Sequence, residues 1–183
     1  MTVPTSLTTV NPTARGIVKD SPRERVESLH RRRGQDLFGL ARRMGVPHED
    51  AADIVQETML RLWRELIAEK DVRDEDAWAF RTAYRLAIDQ SRQARRSGSV
   101  FSLLTRQSDQ SLTKSTDLED VAVVWHEVDA LPRQQRAVLY LRYRADLPFE
   151  QVGQAVGVSA ATARTHATRA LATLRERLTR END

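Results

Sequence analysis

Apolar residues recur at steps of three and four along much of the chain, which is the period of an amphipathic helix. A first helix is predicted over residues 21–45, because Ser21 can cap its start and a glycine ends the apolar pattern. A break is expected near Gly34. Two further helices are predicted over residues 48–68 and 78–95. Their inward positions include Val26, Leu29, Leu37, Leu40 and Met44 in the first helix, Ala51, Val55, Met59, Leu62 and Leu66 in the second, and Trp78, Ala83, Leu86 and Ile88 in the third.

The periodic pattern is interrupted in three places. Residues 1–20 are rich in Thr, Pro and Ser and are predicted to be a disordered tail. Residues 69–77 are too charged and too aperiodic for a core element and are predicted to be a loop. Residues 97–117 are dense in Ser, Thr and Gln and read as a flexible linker between two domains, 21–96 and 118–183.

Four short helices are predicted in the second domain. They cover residues 118–130, 132–144, 149–156 and 160–178. No stretch alternates with the period of a strand, so the fold class is all-α, with two small helical domains.

Composition narrows the class of protein further. The chain has 183 residues, a net charge of +3 and no cysteine, which excludes disulfides and thiolate metal sites. No apolar run approaches the roughly 20 residues that span a bilayer, and the N-terminus lacks the pattern of a secretory signal. We therefore expect a cytoplasmic protein without membrane insertion.

The stretch GVSAATARTHATRAL, residues 157–171, predicts the second half of a helix-turn-helix. A glycine turn follows the helix over 149–156, and Ser159 can cap the next helix. Ala161, Ala167 and Ala170 are small enough for close helix contact. The outward residues carry no acid and suit a phosphate-lined major groove, where Arg can fork to guanine and Thr can meet a thymine methyl group. The DNA-facing candidates here are Ser159, Arg164, Thr165, His166, Thr168 and Arg169.

The second helix has a polar face of its own. A solvated surface explains it, and so does a metal or acid–base site built from His48, Asp53 and Glu57. The other histidines join no ligand spacing, and no glycine loop cradles a nucleotide. No cofactor and no metal is therefore expected.

The order of motifs resembles the extracytoplasmic-function sigma factors, a small two-domain group of bacterial sigma factors. The resemblance covers residues 35–178 and rests on LFGLARRMG, DAADIVQETMLRLW, WAFRTAYRLAIDQSRQARR, LPRQQRAVLYLRY and LPFEQVGQAVGVSAATARTHATRALATLRERL. It implies that the first domain is region 2, a helical bundle, and that the second is region 4, the helix-turn-helix domain.

The resemblance also implies roles for residues. It places Asp53, Gln56, Glu57 and Leu60 on the clamp helices of the core RNA polymerase β′ subunit, and region 4 on the β flap. The minus-10 candidates in the loop and the third helix are Asp71, Val72, Arg73, Trp78, Arg81, Arg85, Arg92, Arg95 and Arg96. The acid-free helix of region 4 would read the minus-35 element. An anti-sigma factor is an expected partner.

Some positions depart from the family pattern. Gln151-Val152-Gly153 replaces Glu-Ile-Ala in the first helix of the helix-turn-helix, Arg85 replaces a frequent Asn, and Ala161 replaces a usual glycine.

The resulting hypothesis is a promoter-specificity subunit that catalyses no reaction itself. It would bind core polymerase and promoter DNA, recognise the two elements and promote DNA melting. The alternative from another class is a stand-alone helix-turn-helix regulator.

Overall fold

The computed structural model describes residues 20–96 and 124–181, apart from the side chains of residues 95 and 181. Residues 1–19 of the predicted tail, the predicted linker at 97–117 and residues 118–123 of the fourth predicted helix lie outside these residues. All regular elements of the described part are helical, which confirms the all-α class.

Helix α1 (Pro22–Arg43) begins at the predicted cap. The Ser21 hydroxyl accepts a hydrogen bond from the Glu24 backbone N–H, and the Glu24 carboxylate accepts one from the Ser21 N–H at 2.8 Å. The helix runs through Gly34 without a break, so the predicted interruption was wrong. A glycine within a helix costs about 1 kcal/mol, and the burial of Leu29 and Leu37 on either side exceeds that cost.

Helices α2 (His48–Ile67) and α3 (Glu75–Arg96) complete the first lobe. Helix α3 starts three residues earlier than predicted, because the Asp74 carboxylate accepts a hydrogen bond from the Ala77 backbone N–H at 2.9 Å. Glu75 and Asp76 then lie in the first turn, where the helix dipole favours negative charge. Phe80, which the pattern did not single out, is fully buried in the core of the lobe.

The second lobe begins with a helical segment over residues 124–129. Helix α4 (Arg133–Leu139) follows and widens into a π-helical turn over Tyr140–Arg144. Helices α5 (Phe149–Val156) and α6 (Ala160–Glu181) form the predicted helix-turn-helix.

The two lobes pack against each other along a seam between α1 and the π-helical turn. A side-chain β-carbon at Gly39 of α1 would lie 2.0 Å from the Tyr140 hydroxyl oxygen, so the missing side chain makes room for the tyrosine of the second lobe. Tyr140 is only 5% exposed, and this burial raises the pKa of its hydroxyl. The Trp125 ring meets the Tyr140 ring edge-on, with centroids 5.9 Å apart.

Polar contacts continue the seam. Arg33 donates a hydrogen bond to the Ala145 carbonyl at 3.0 Å, and Arg136 donates one to the Arg43 carbonyl at 2.8 Å. Arg43 also pairs with Asp129. A single cluster of buried apolar residues runs through both lobes, and α5 packs along α3. The sequence pattern did not predict this joint core.

Candidate polymerase and nucleic-acid interfaces

One face of α2 combines polar and apolar groups that are open to solvent. Asp53 and Gln56 are exposed, and Leu60 is 39% exposed. Glu57 is half-buried, and its carboxylate forms an ion pair with Arg61 at 2.7 Å. The helical spacing brings these four predicted residues together on one side of the helix.

This α2 face extends further than the sequence reading proposed. Trp63 is 42% exposed and Ile67 is 53% exposed, and their spacing from Leu60 places them on the same side of α2. These three residues are most of the large apolar side chains that are exposed in the described part of the chain. The helical spacing of Leu60, Trp63 and Ile67 is visible in the sequence. Such a stripe is typical of core residues, so it did not indicate an exposed apolar surface.

A groove between α1 and α2 adjoins this face. Its volume is about 430 Å³, and its lining is Val26, Glu27, His30, Arg31, Gln56 and Met59. Gln56 therefore belongs both to the exposed face and to the edge of a concave surface.

Helix α3 presents a column of arginines. Arg81, Arg85, Arg92 and Arg96 are exposed, lie on one side of the helix and form no ion pair within residues 20–96 and 124–181. Near the end of the helix a second groove of about 430 Å³ is lined by Asp89, Arg92, Gln93 and Arg96. The predicted side chain at Arg95 lies outside the described residues. The exposed column can attract phosphate groups.

The loop before α3 is only partly open. Asp71 and Arg73 are exposed and pair with each other at 2.7 Å, but Val72 and Trp78 are half-buried against the core. Among the predicted minus-10 residues of this loop, Asp71 and Arg73 are therefore accessible to DNA, whereas Val72 and Trp78 pack against the core.

The acidic residues around the start of α3 form hydrogen bonds with side chains of other helices. The Asp74 carboxylate accepts a hydrogen bond from the Gln151 amide of α5 at 2.8 Å, across the seam between the lobes. Asp76 accepts from Arg33 at 2.6 Å and from Arg32 at 3.0 Å. The helix-turn-helix lobe thus covers one edge of this loop.

The turn between α5 and α6 depends on two glycines. Gly157 ends α5 with φ of +79°, a left-handed conformation that glycine adopts without strain. A β-carbon at Gly153 would lie 2.8 Å from the Val158 carbonyl oxygen, which accounts for glycine where the family pattern has alanine. The Ser159 hydroxyl caps α6, as predicted, by accepting from the Thr162 N–H at 3.0 Å.

The exposed surface of α6 matches most of the predicted set. Arg164, Thr165, Thr168 and Arg169 are all exposed. His166 is half-buried, and its Nδ1 atom is buried with no hydrogen-bond partner among the described residues.

The alanines of α6 face differently from the prediction. Ala161 is exposed, whereas Ala163, Ala167 and Ala170 are buried against the lobe. The predicted contact at Ala161 was wrong, because a helix that buries positions 167 and 170 also buries 163 at the same spacing.

Arg164 is held by α5. Its Nη2 atom donates to the Glu150 carboxylate at 2.8 Å, and its guanidinium carbon lies 5.2 Å from the centre of the Phe149 ring. Arg142 lies 5.6 Å from the same ring.

The metal reading of α2 has no geometric support. Within residues 20–96 and 124–181 no three His, Asp or Glu side chains come close enough to hold an ion. In the same two ranges, no helix is both long enough and apolar enough to cross a membrane.

Comparison with known proteins finds two family matches along the chain. Residues 29–97 match the Sigma-70 region 2 family, and residues 128–176 match the Sigma-70 region 4 family. The chain is 26% identical over 152 residues to RNA polymerase sigma factor SigV of Bacillus subtilis, covering 81% of this chain and 87% of the relative. It is 30% identical over 154 residues to RNA polymerase sigma-E factor of Streptomyces avermitilis, covering 83% of this chain and 84% of the relative.

Two solved structures share the fold. One is CnrH in complex with the cytosolic domain of CnrY, with a TM-score of 0.58, 24% identity, and coverage of 86% of this chain and 89% of that chain. The other is the sigma factor RpoE in complex with the anti-sigma factor NepR from Bartonella quintana, with a TM-score of 0.62, 21% identity, and coverage of 84% and 95%. The two family matches and the two sequence relatives show that the chain belongs to the extracytoplasmic-function RNA polymerase sigma factors, which bind core polymerase and promoter DNA to initiate transcription.

Proposed function

We propose that the α2 face is the surface that binds the clamp helices of core RNA polymerase. Asp53, Gln56 and Glu57 supply acceptors for basic groups, and Leu60, Trp63 and Ile67 supply apolar area that is otherwise left in water. Exposed apolar side chains in one contiguous stripe are typical of a protein interface.

Helix α3 and the loop before it are the proposed reader of the minus-10 element. The column from Arg81 to Arg96 lines up along the helix, as a single strand of DNA requires of its binding groove. Removing a base from the stack costs a few kcal/mol, which cationic contacts to the separated strand offset. Val72 and Trp78 support the loop from inside.

Helix α6 is the proposed reader of the minus-35 element. Arg164, Thr165, Thr168 and Arg169 form its outer surface, and no acid of α6 precedes Glu176. A helix with this surface suits the major groove, where arginine recognises guanine by two parallel hydrogen bonds.

The observation that carries the proposal is the separation of these surfaces. A mixed acidic and apolar face on α2 lies apart from two basic surfaces, on α3 and α6, within one chain. A stand-alone regulator requires a helix that binds duplex DNA, which α6 supplies. Binding to duplex DNA alone does not explain the arginine column of α3 or the acidic and apolar face of α2.

The lobes have to part on the promoter. The minus-10 and minus-35 elements lie about 25 base pairs apart, or ~85 Å at 3.4 Å per base pair. A compact chain of this length has a radius of gyration of about 16 Å. The seam of Gly39 and Tyr140 and the bond of Asp74 with Gln151 therefore belong to a closed form that opens when polymerase and DNA are bound.

An anti-sigma factor is a proposed partner. The fold neighbour RpoE was solved with the anti-sigma factor NepR. The exposed stripe of Leu60, Trp63 and Ile67 offers such a protein a docking surface that would also block the polymerase.

We further propose that the chain catalyses no reaction and acts in the cytoplasm, where polymerase works. The test is run-off transcription on genomic DNA with core polymerase, with and without the chain, followed by mapping of start sites. We expect start sites that depend on the chain and share two upstream sequence blocks. Binding to duplex DNA with no effect on polymerase would favour the stand-alone regulator instead.

A further inference from the structure

Arg164 of α6 is restrained from two directions by the preceding helix. The Glu150 carboxylate accepts a hydrogen bond from its Nη2 atom at 2.8 Å, and the Phe149 ring lies 5.2 Å from its guanidinium carbon. A freely rotating arginine side chain loses rotamer freedom when it is fixed. A guanidinium that is already held in place loses less when it meets a base.

Glu150 is unusual in its position. It is the only acid between residues 149 and 175, the stretch that contains both helices of the DNA-reading motif up to Arg175. Its own backbone N–H and then Arg164 donate to the carboxylate and lower its pKa, so the group is ionised at neutral pH. A negative charge beside a phosphate-lined groove opposes DNA binding.

The ion pair leaves Arg164 able to bind a base. A guanidinium carries five N–H groups, and the bond to Glu150 uses one of them. The remaining four still include a pair that can fork to guanine. Phe149 adds a flat surface under the guanidinium, and Arg142 lies over the same ring at 5.6 Å.

We propose that Glu150 is a positioning residue for Arg164. Its negative charge lowers the affinity for DNA, and its hydrogen bond raises the selectivity for one base at the position that Arg164 contacts. This inference rests on the proposed role of α6 at the minus-35 element. The carboxylate fixes the direction of the guanidinium, so a base that cannot accept two parallel bonds is rejected more strongly than by a freely rotating arginine.

The experiment uses holoenzyme reconstituted from core polymerase and the full chain. The probe is a double-stranded DNA library with 40 randomised base pairs, and bound DNA is sequenced to give the base preference at each position. We expect one upstream position at which the wild type prefers guanine by about five- to 150-fold, and at which Arg164→Ala has no preference.

Glu150→Gln should lower that single preference by about two- to fivefold, the contribution of an exposed ion pair. Preferences elsewhere should be unchanged, and total binding should be equal or higher because a negative charge has gone. Glu176→Gln makes the same charge change further along α6 and should leave every preference as in the wild type. In the Arg164→Ala background, Glu150→Gln should cause no further change in base preference.

Three results would overturn the inference. Equal guanine preference in Glu150→Gln and the wild type would show that the carboxylate does not position Arg164. A change in preference at any position when Glu150→Gln is added to the Arg164→Ala background would show that Glu150 contacts DNA itself. A lowered melting temperature for Glu150→Gln with all preferences reduced together would make its role structural. If wild-type holoenzyme enriches no shared sequence, the proposed function of α6 fails first, and the inference falls with it.

Discussion

Gly39→Ala is the sharpest perturbation of the seam between the two lobes. The new β-carbon would lie 2.0 Å from the Tyr140 hydroxyl oxygen and 2.9 Å from its ring carbon Cζ, where ordinary contacts are about 3.5–4.0 Å. Tyr140 is almost fully buried and cannot simply swing into solvent. Because the tyrosine belongs to the other lobe, the least costly response is for the lobes to move apart.

Two opposing effects set the magnitude. Overpacking of a buried site costs about 1–3 kcal/mol. Replacing a glycine within a helix by alanine returns roughly 0.5–1 kcal/mol. Because α1 is helical in both forms, the second effect cancels between them, and the closed form should lose about 1–3 kcal/mol relative to the open form. Both effects act on the free energy of unfolding of the closed form, which should fall by about 0–2.5 kcal/mol.

The assay is energy transfer between dyes on the two lobes. The chain has no cysteine, so Glu49→Cys and Glu176→Cys give one labelling site on each lobe. We expect lower transfer efficiency for Gly39→Ala than for the parent chain, and partial recovery when Tyr140→Phe removes the closest atom.

The matched control is Gly34→Ala, five residues earlier on the same helix. The three atoms nearest to its β-carbon would all belong to the side chain of His30, the closest at 3.3 Å, so the variant gains helix stability away from Tyr140. If Gly39→Ala and Gly34→Ala had equal transfer efficiencies and equal melting temperatures, the close fit of Tyr140 against Gly39 would be contradicted, since Tyr140 would then have room to adjust.

Three further expectations follow from the structure. Burial raises the pKa of Tyr140, so its contribution to the free energy of unfolding is present below pH about 10 and declines as pH rises further. Tyr140→Phe should make this decline shallower when the free energy of unfolding in urea is measured against pH. An unchanged decline would contradict the burial of Tyr140. Arg81→Ala and Arg85→Ala should each weaken promoter binding by holoenzyme and reduce its salt slope by a little under one; an unchanged slope would remove them from the phosphate path. Protease cleavage within residues 97–117 should yield two fragments that elute together in gel filtration, because the contacts of the seam lie outside the cleaved segment and still hold the lobes together. The fragments of Gly39→Ala should separate. Separate elution of the wild-type fragments would count against the seam.

Much of the fold is readable from the sequence because it depends on local patterns. The cap at Ser21, the apolar stripe of α2 and the glycine turn at Gly157 each rest on residues within one or two helical turns. The predicted helix over residues 149–156 has the observed bounds for the same reason. These features need no knowledge of the rest of the chain.

Other features depend on distant partners and were missed. Gly39 and Tyr140 are about a hundred positions apart, and nothing near either residue shows that one makes room for the other. The early start of α3 was hidden because acidic residues are as typical of a loop as of a first helical turn, and the deciding contact is the cap at Asp74.

The candidate surfaces were predictable only in part. The family resemblance identified the exposed arginines of α3, and helical spacing identified most of the α6 face. Spacing did not show that His166 is half-buried or that Trp63 and Ile67 stay exposed, because periodicity gives the direction of a side chain but not what packs over it.

Binding of the α2 face to core polymerase is tested by the affinity of core polymerase for Asp53→Ala with Gln56→Ala, measured beside the thermal melt. Both residues are exposed, so unfolding free energy should change by less than about 0.5 kcal/mol. If they meet basic groups of the clamp, affinity should fall by about 2–5 kcal/mol, or roughly thirtyfold to several-thousandfold. The control, Asp20→Ala with Gln35→Ala, removes an exposed acid and an exposed amide elsewhere on the first lobe and should leave affinity as it was. An unchanged melt with unchanged affinity for polymerase would contradict the assignment of the α2 face.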